Sequence, residues 1–95
     1  MSVYVIVNIS LKDAVAYEAY KAGAPALIRK HGGEYLARGG ATEVIEGEWK
    51  PSRIALLKFP DWAAVNAFLN DPEYQPLKEL RHSVAHTQMV AVEGV

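Results

Sequence analysis

Cysteine is absent from this chain, which excludes a disulfide framework, an iron–sulfur cluster and a thiol nucleophile. Excess positive charge is absent too. Ten Lys and Arg stand against eleven Asp and Glu, giving a formal net charge of −1 and a pI near 6.3. Nucleic-acid binding calls for a basic domain with clustered cations, and this chain offers none. No run reaches the ~18 apolar residues that argue for a membrane span. The opening stretch, Met1-Ser2-Val3-Tyr4-Val5-Ile6-Val7, lacks a basic leader region and reads as a strand, so the expected location is the cytoplasm. A phosphate-cradling glycine loop and a nucleophile elbow are also missing. Histidine occurs three times. His82 and His86 stand four apart but have no carboxylate or third His beside them, so no metal site is expected. With no cofactor motif in the chain, no organic cofactor is expected either.

What is present is a chain of 95 residues, 51% apolar, enough for one domain (1–95) with one core. Val3 to Ile9 is β-branched on nearly every position and forms the first strand. A helix starts near Asp13, a good N-cap. Gly23 and Pro25 are expected to interrupt it, and Gly32-Gly33 to end it. Glu34 to about Ile45 forms the second strand, bent at Gly39-Gly40, and Arg53 to Phe59 the third. Alternation along the second strand puts Tyr35 and Ala37 on one face and Glu34, Leu36 and Arg38 on the other. Asp61 opens the second helix, which ends at Asp71-Pro72; a last helical piece carries Leu77, Leu80 and Val84, and His86 to Val92 is the fourth strand.

The order β-α-β-β-α-β is the ferredoxin-like α+β arrangement, a four-stranded antiparallel sheet with its helices on one face. Strands one and three are apolar on both faces, yet helices cover only one. The remaining apolar face predicts a homodimer, sheet against sheet.

The motifs His31-Gly32-Gly33, Tyr35-Leu36-Ala37-Arg38-Gly39-Gly40, Glu46-Gly47, Trp49, Arg53, Phe59-Pro60, Pro72-Glu73-Tyr74-Gln75 and Arg81 together resemble the DUF1330 family, a domain of unknown function. The resemblance spans nearly the whole chain. It implies a dimeric α/β-barrel fold and leaves the function open. The wider superfamily holds cofactor-free monooxygenases, haem-degrading enzymes, lactone isomerases and dye peroxidases, with ligands in the cleft between helices and sheet; fold alone transfers none of these activities. Against the haem-degrading pattern, Asn8 fits the first position. Phe59 stands where that pattern has Trp, and Leu69 or Asn70 where it has the axial His, which disfavours haem degradation.

Arg38 is the leading catalytic candidate, since a guanidinium is a planar fork of donors suited to a carboxylate or enolate; the alternative is a salt bridge to Glu34, Glu43 or Glu46, or across the dimer. His31, at a helix end, is a candidate acid or base, or a capping residue. Asn8 is a polar residue on an apolar strand that either orients a ligand or bonds local backbone. Candidate substrate-binding residues are Tyr20, Trp49, Arg53, Tyr74 and Arg81; Arg53 and Arg81 either join Arg38 in an anion site or pair with carboxylates such as Glu48 and Glu79. Two readings follow. One is a small-molecule binder or cofactor-free enzyme performing proton transfer, isomerisation or monooxygenation on a small anionic or enolisable substrate. The other is a non-catalytic homodimeric interaction protein. Arg38 and His31 facing a shared solvent-accessible cavity favours the first; Arg38 capped by a carboxylate over a filled core favours the second.

Overall fold

The computed structural model describes all residues, 1–95. Its elements are β1 (Val3–Leu11), α1 (Ala14–Lys30), β2 (Glu34–Arg38), β3 (Ile54–Phe59), α2 (Trp62–Leu69), α3 (Gln75–Val84) and β4 (Ala85–Glu93). The strands form one antiparallel sheet in the order β2-β3-β1-β4. This is the ferredoxin-like order. The sheet is open, with β2 and β4 as its edges, so the chain does not close a barrel by itself.

Alternation divides the sheet. Val3, Val5, Val7 and Ile9 of β1 and Ala55, Leu57 and Phe59 of β3 form one core with Tyr17, Ile28, Val65 and Phe68 of the helices. The opposite face presents Ile6, Ile54 and Leu56, half-buried, beside Val90 at 59% exposure. Trp49, 61% exposed, stands near Ile6, Asn8 and Val90 on this same face.

Local chemistry sets the element ends. Asp13 and Asp61 each accept a hydrogen bond from the backbone N–H three residues on, at 3.0 and 2.8 Å, and start α1 and α2. At the C-terminus of α1, Gly32 takes φ +78°, its N–H donates to the Arg29 carbonyl, and the Gly33 N–H donates to that of Ile28. This pair of bonds is a Schellman motif, which needs a residue at ease with left-handed φ.

Three expectations require correction. First, α1 is not interrupted: it runs from Ala14 to Lys30 with Pro25 inside it. Gly23 admits Leu77 of α3 against the helix, where a Cβ would sit 2.9 Å from a Leu77 methyl. Second, β2 stops at Arg38 instead of continuing to Ile45, because Gly39 at φ +67° turns the chain out of the sheet after its N–H bonds the Ile54 carbonyl. Third, the register of β2 shifts between Tyr35 and Ala37. This bulge places Tyr35 opposite Leu57 and Arg38 opposite Ala55, both on the helix side, and undoes simple alternation.

Candidate functional site

Between the helix-facing side of the sheet and the helices lies a cavity of about 200 Å³. Its walls are mainly aliphatic and aromatic, with Val5, Val7, Leu57, Phe59 and Phe68 among them. Lys21, Arg38, Arg53 and Arg81 also line it, and no Asp or Glu does. A chain of net charge −1 thus places four of its ten Lys and Arg around one largely apolar space and lines it with no carboxylate.

Arg81 is the deepest of these cations. Leu77, Arg81 and Val84 recur at helical spacing, so α3 turns the arginine inward with its apolar stripe. The residue is 5% exposed, forms no ion pair, and its Nε has no hydrogen-bond partner. Its one favourable aromatic contact is the Tyr20 ring, with the guanidinium carbon 5.9 Å from the ring centroid. A guanidinium does not discharge by losing its proton, so burial leaves an uncompensated charge facing the cavity.

Four tyrosines, Tyr17, Tyr20, Tyr35 and Tyr74, line the same cavity. The Tyr20 and Tyr74 hydroxyls bond each other at 2.9 Å, and Tyr17 stacks on Tyr20 with ring centroids 5.4 Å apart. Burial, reinforced by Tyr74, holds the Tyr20 hydroxyl well above the usual phenol pKa. Burial also raises Tyr17, against the opposing pull of Arg53, Arg81 and Arg38. Tyr35 is raised by burial as well, with Arg38 opposing. The Tyr17, Tyr20 and Tyr35 phenols are therefore neutral at physiological pH.

Neither Arg38 nor Arg53 pairs with a carboxylate, and Arg38 is held by backbone. Pro25 has no N–H, so the Lys21 carbonyl loses the partner it would have four residues on. Arg38 supplies one: its Nη2 donates to that carbonyl at 3.0 Å, while the guanidinium lies 4.7 Å from the Tyr35 ring centroid. The imino acid inside α1 and the arginine on β2 are parts of one arrangement. The Arg53 guanidinium packs over Gly39, where a Cβ would approach its carbon to 2.5 Å.

Of the candidates read from sequence, the fold brings Arg38, Tyr20, Arg53, Tyr74 and Arg81 to this cavity. His31, Asn8 and Trp49 are not among its lining residues. His31 Nε2 bonds the Asp71 carboxylate at 2.8 Å. The Lys30 ammonium meets the same oxygen at 2.9 Å, and the Glu73 N–H donates to the other. Those three bonds, Lys30 foremost, hold the Asp71 carboxyl far below the usual carboxylate range. Asn8 accepts from the Ser52 N–H and lies with Trp49 on the open side of the sheet. Lys21, Tyr35 and Asp71 belong to no candidate set read from the sequence. The signal for Asp71 was an Asp-Pro-Glu turn, in which the carboxylate caps the N–H two residues on.

Residues 2–95 match the pattern of DUF1330, a domain of unknown function. The chain belongs to that family. Solved structures share its fold. A protein of unknown function from Rhodopseudomonas palustris, RPA0582, has a TM-score of 0.83 at 16% identity, over 99% of this chain and 82% of its own. SnoaB, a cofactor-independent oxygenase from Streptomyces nogalater, has a TM-score of 0.69 at 12% identity, over 99% and 93%. A dimeric ferredoxin-like protein of unknown function from Jannaschia sp. CCS1 has a TM-score of 0.67 at 16% identity, over 99% and 100%. At such identities the likeness is one of fold. No curated protein matches the DUF1330 chain. None of its helices is long and apolar enough to cross a membrane.

Proposed function

We propose that the cavity between sheet and helices binds a small anionic molecule, and that this DUF1330 protein is a small-molecule binder or a cofactor-free enzyme acting on it. The observation that carries this reading is Arg81, buried, charged and unpartnered in an apolar space without a carboxylate. A fold tolerates such a group most readily when a ligand supplies the counter-charge. Arg38 and Arg53 draw anions toward the mouth. An enolate oxygen beside Arg81 and the neutral phenols would be stabilised, the requirement for proton transfer or isomerisation. The cofactor-independent oxygenase of the same fold supports testing oxygenation of such an enolate as well.

The test is a thermal-shift series of small carboxylates, enolisable ketoacids and their neutral amides on wild type and Arg81→Met. A ligand at a hundred times its Kd adds about 2.7 kcal/mol, several degrees in a domain of this size. The expected result is a shift with anions alone that vanishes in Arg81→Met. Equal shifts in both proteins would sink the reading.

A second reading concerns assembly. The open face carries Ile6, Ile54, Leu56, Val90 and Trp49, and the fold is shared with a dimeric protein. We propose that two copies pack these faces together, leaving both cavities outside the interface. Val90→Glu should convert the dimer to monomer in sedimentation velocity; unchanged sedimentation would refute the placement.

A further inference from the structure

The hydrogen-bond inventory of the cavity goes a step further than the charge, on the reading of that cavity as an anion site. Tyr20 and Tyr74 carry two hydroxyl protons, and their mutual bond at 2.9 Å uses one. The other must leave the pair. Both residues line the cavity, and the bond between them can run in either direction. Tyr74 is 0% exposed and its hydroxyl has no second partner, whereas Tyr20 is half-buried. An acceptor entering from outside meets the Tyr20 hydroxyl; with that proton turned to the acceptor, Tyr74 donates to Tyr20 and neither donor is left unmet. Stacking by Tyr17 fixes the Tyr20 ring, and Arg81 lies over that same ring.

Two kinds of donor thus meet on one wall: a planar guanidinium fork and one phenolic proton aimed by a second phenol. A carboxylate has two oxygens in a plane and suits the pair. A phosphate brings more oxygens than this fork and single hydroxyl can meet, and Arg38 is already bonded to the Lys21 carbonyl. Size narrows the class. An engineered apolar cavity of about 150 Å³ takes benzene, so the space of about 200 Å³ fits one ring and a carboxylate.

We propose that the cavity binds a single-ring carboxylic acid as its anion, with Arg81 on the carboxylate and the Tyr20 hydroxyl donating to one of its oxygens. Tyr74 is a positioning residue that directs the Tyr20 proton.

Benzoate is the probe, measured by calorimetry on the whole protein, with benzamide, acetate and inorganic phosphate beside it. Benzoate is expected to bind one per chain and at least tenfold more tightly than the other three. Tyr20→Phe keeps the ring and loses the donor, and should weaken benzoate about tenfold, the worth of a hydrogen bond to a charged group. Tyr74→Phe should weaken it less. Its distinguishing readout is the Tyr20 hydroxyl proton in the NMR spectrum: benzoate should move it downfield in wild type and fail to do so in Tyr74→Phe, with the amide spectrum retained. If no anion binds the wild type, the anion-site reading itself falls. If benzoate binds through Arg81 but Tyr20→Phe holds it as tightly, the donor assignment falls alone. Tighter binding of acetate or phosphate than of benzoate overturns the single-ring class.

Discussion

Asp71 and Arg81 are equally buried, each 5% exposed, and carry opposite charges. Their surroundings are opposite too. Asp71 takes Lys30, His31 and the Glu73 N–H on its two oxygens, tying the end of α1 to the turn that leads into α3. Arg81, on α3 itself, takes no carboxylate and leaves Nε unmet. One buried charge is satisfied by the protein and holds it together. The other is left unsatisfied by the protein's own groups and faces the cavity. Burial alone therefore does not separate a structural charge from a functional one; the list of partners does.

Breaking the satisfied member should have the largest effect. Asp71→Ala leaves Lys30 and His31 without their acceptor and frees the turn before Tyr74. Melting should fall by roughly 10 °C or more, as for other broken buried networks. The same residue sets an acid limit. Its folded pKa is depressed, so its stabilisation is complete above the unfolded carboxylate value, about 3.9. It is lost as pH falls below that toward the lower folded value. A plot of stability against pH should thus drop more steeply below about pH 4 in wild type than in Asp71→Asn. Parallel curves would mean that the Lys30 and His31 bonds contribute nothing in solution.

Arg81→Met should act in the other direction. It replaces an unpaired buried charge by an apolar side chain of similar length. Replacing buried ionic groups by hydrophobes is neutral or stabilising by about 1–4 kcal/mol. The ligand-free variant should therefore melt several degrees higher while losing anion binding. A lower melting point in ligand-free Arg81→Met would instead make Arg81 a structural residue, and the contrast with Asp71 would collapse.

Much of the fold was legible because it rests on local chemistry. The caps at Asp13 and Asp61, the stop at Gly32-Gly33 and the apolar strands are each readable from a few neighbouring residues, and they dictate the βαββαβ order. The site was legible in part. Leu77, Leu80 and Val84 read as the apolar stripe of the last helix and do pack on the core; Arg81, a helical turn from Leu77 and Val84, is buried beside them. A charge one helical turn from two apolar residues was the available signal. Arg38 was misplaced across the strand because a bulge depends on the partner strand, which alternation ignores. For His31 both an acid–base role and a capping role stayed open in the sequence, because its partner Asp71 lies forty residues away in the chain.

The smallest effect is expected where the cavity's mouth depends on a missing backbone donor. Pro25→Ala restores an N–H that can bond the Lys21 carbonyl within α1, displacing the Arg38 guanidinium from it. The helix gains a bond of the kind Arg38 loses, and removing proline also frees the unfolded chain, so stability should change by less than about 1 kcal/mol. The consequence should appear in capture of the anion. A loosened Arg38 steers less well, so benzoate should associate about twofold more slowly at low salt, with a weaker dependence on ionic strength. Stopped-flow rates at two salt concentrations measure both. An unchanged association rate would show that Arg38 sits at the mouth without acting on what enters, leaving Arg81 as the charge that selects the ligand.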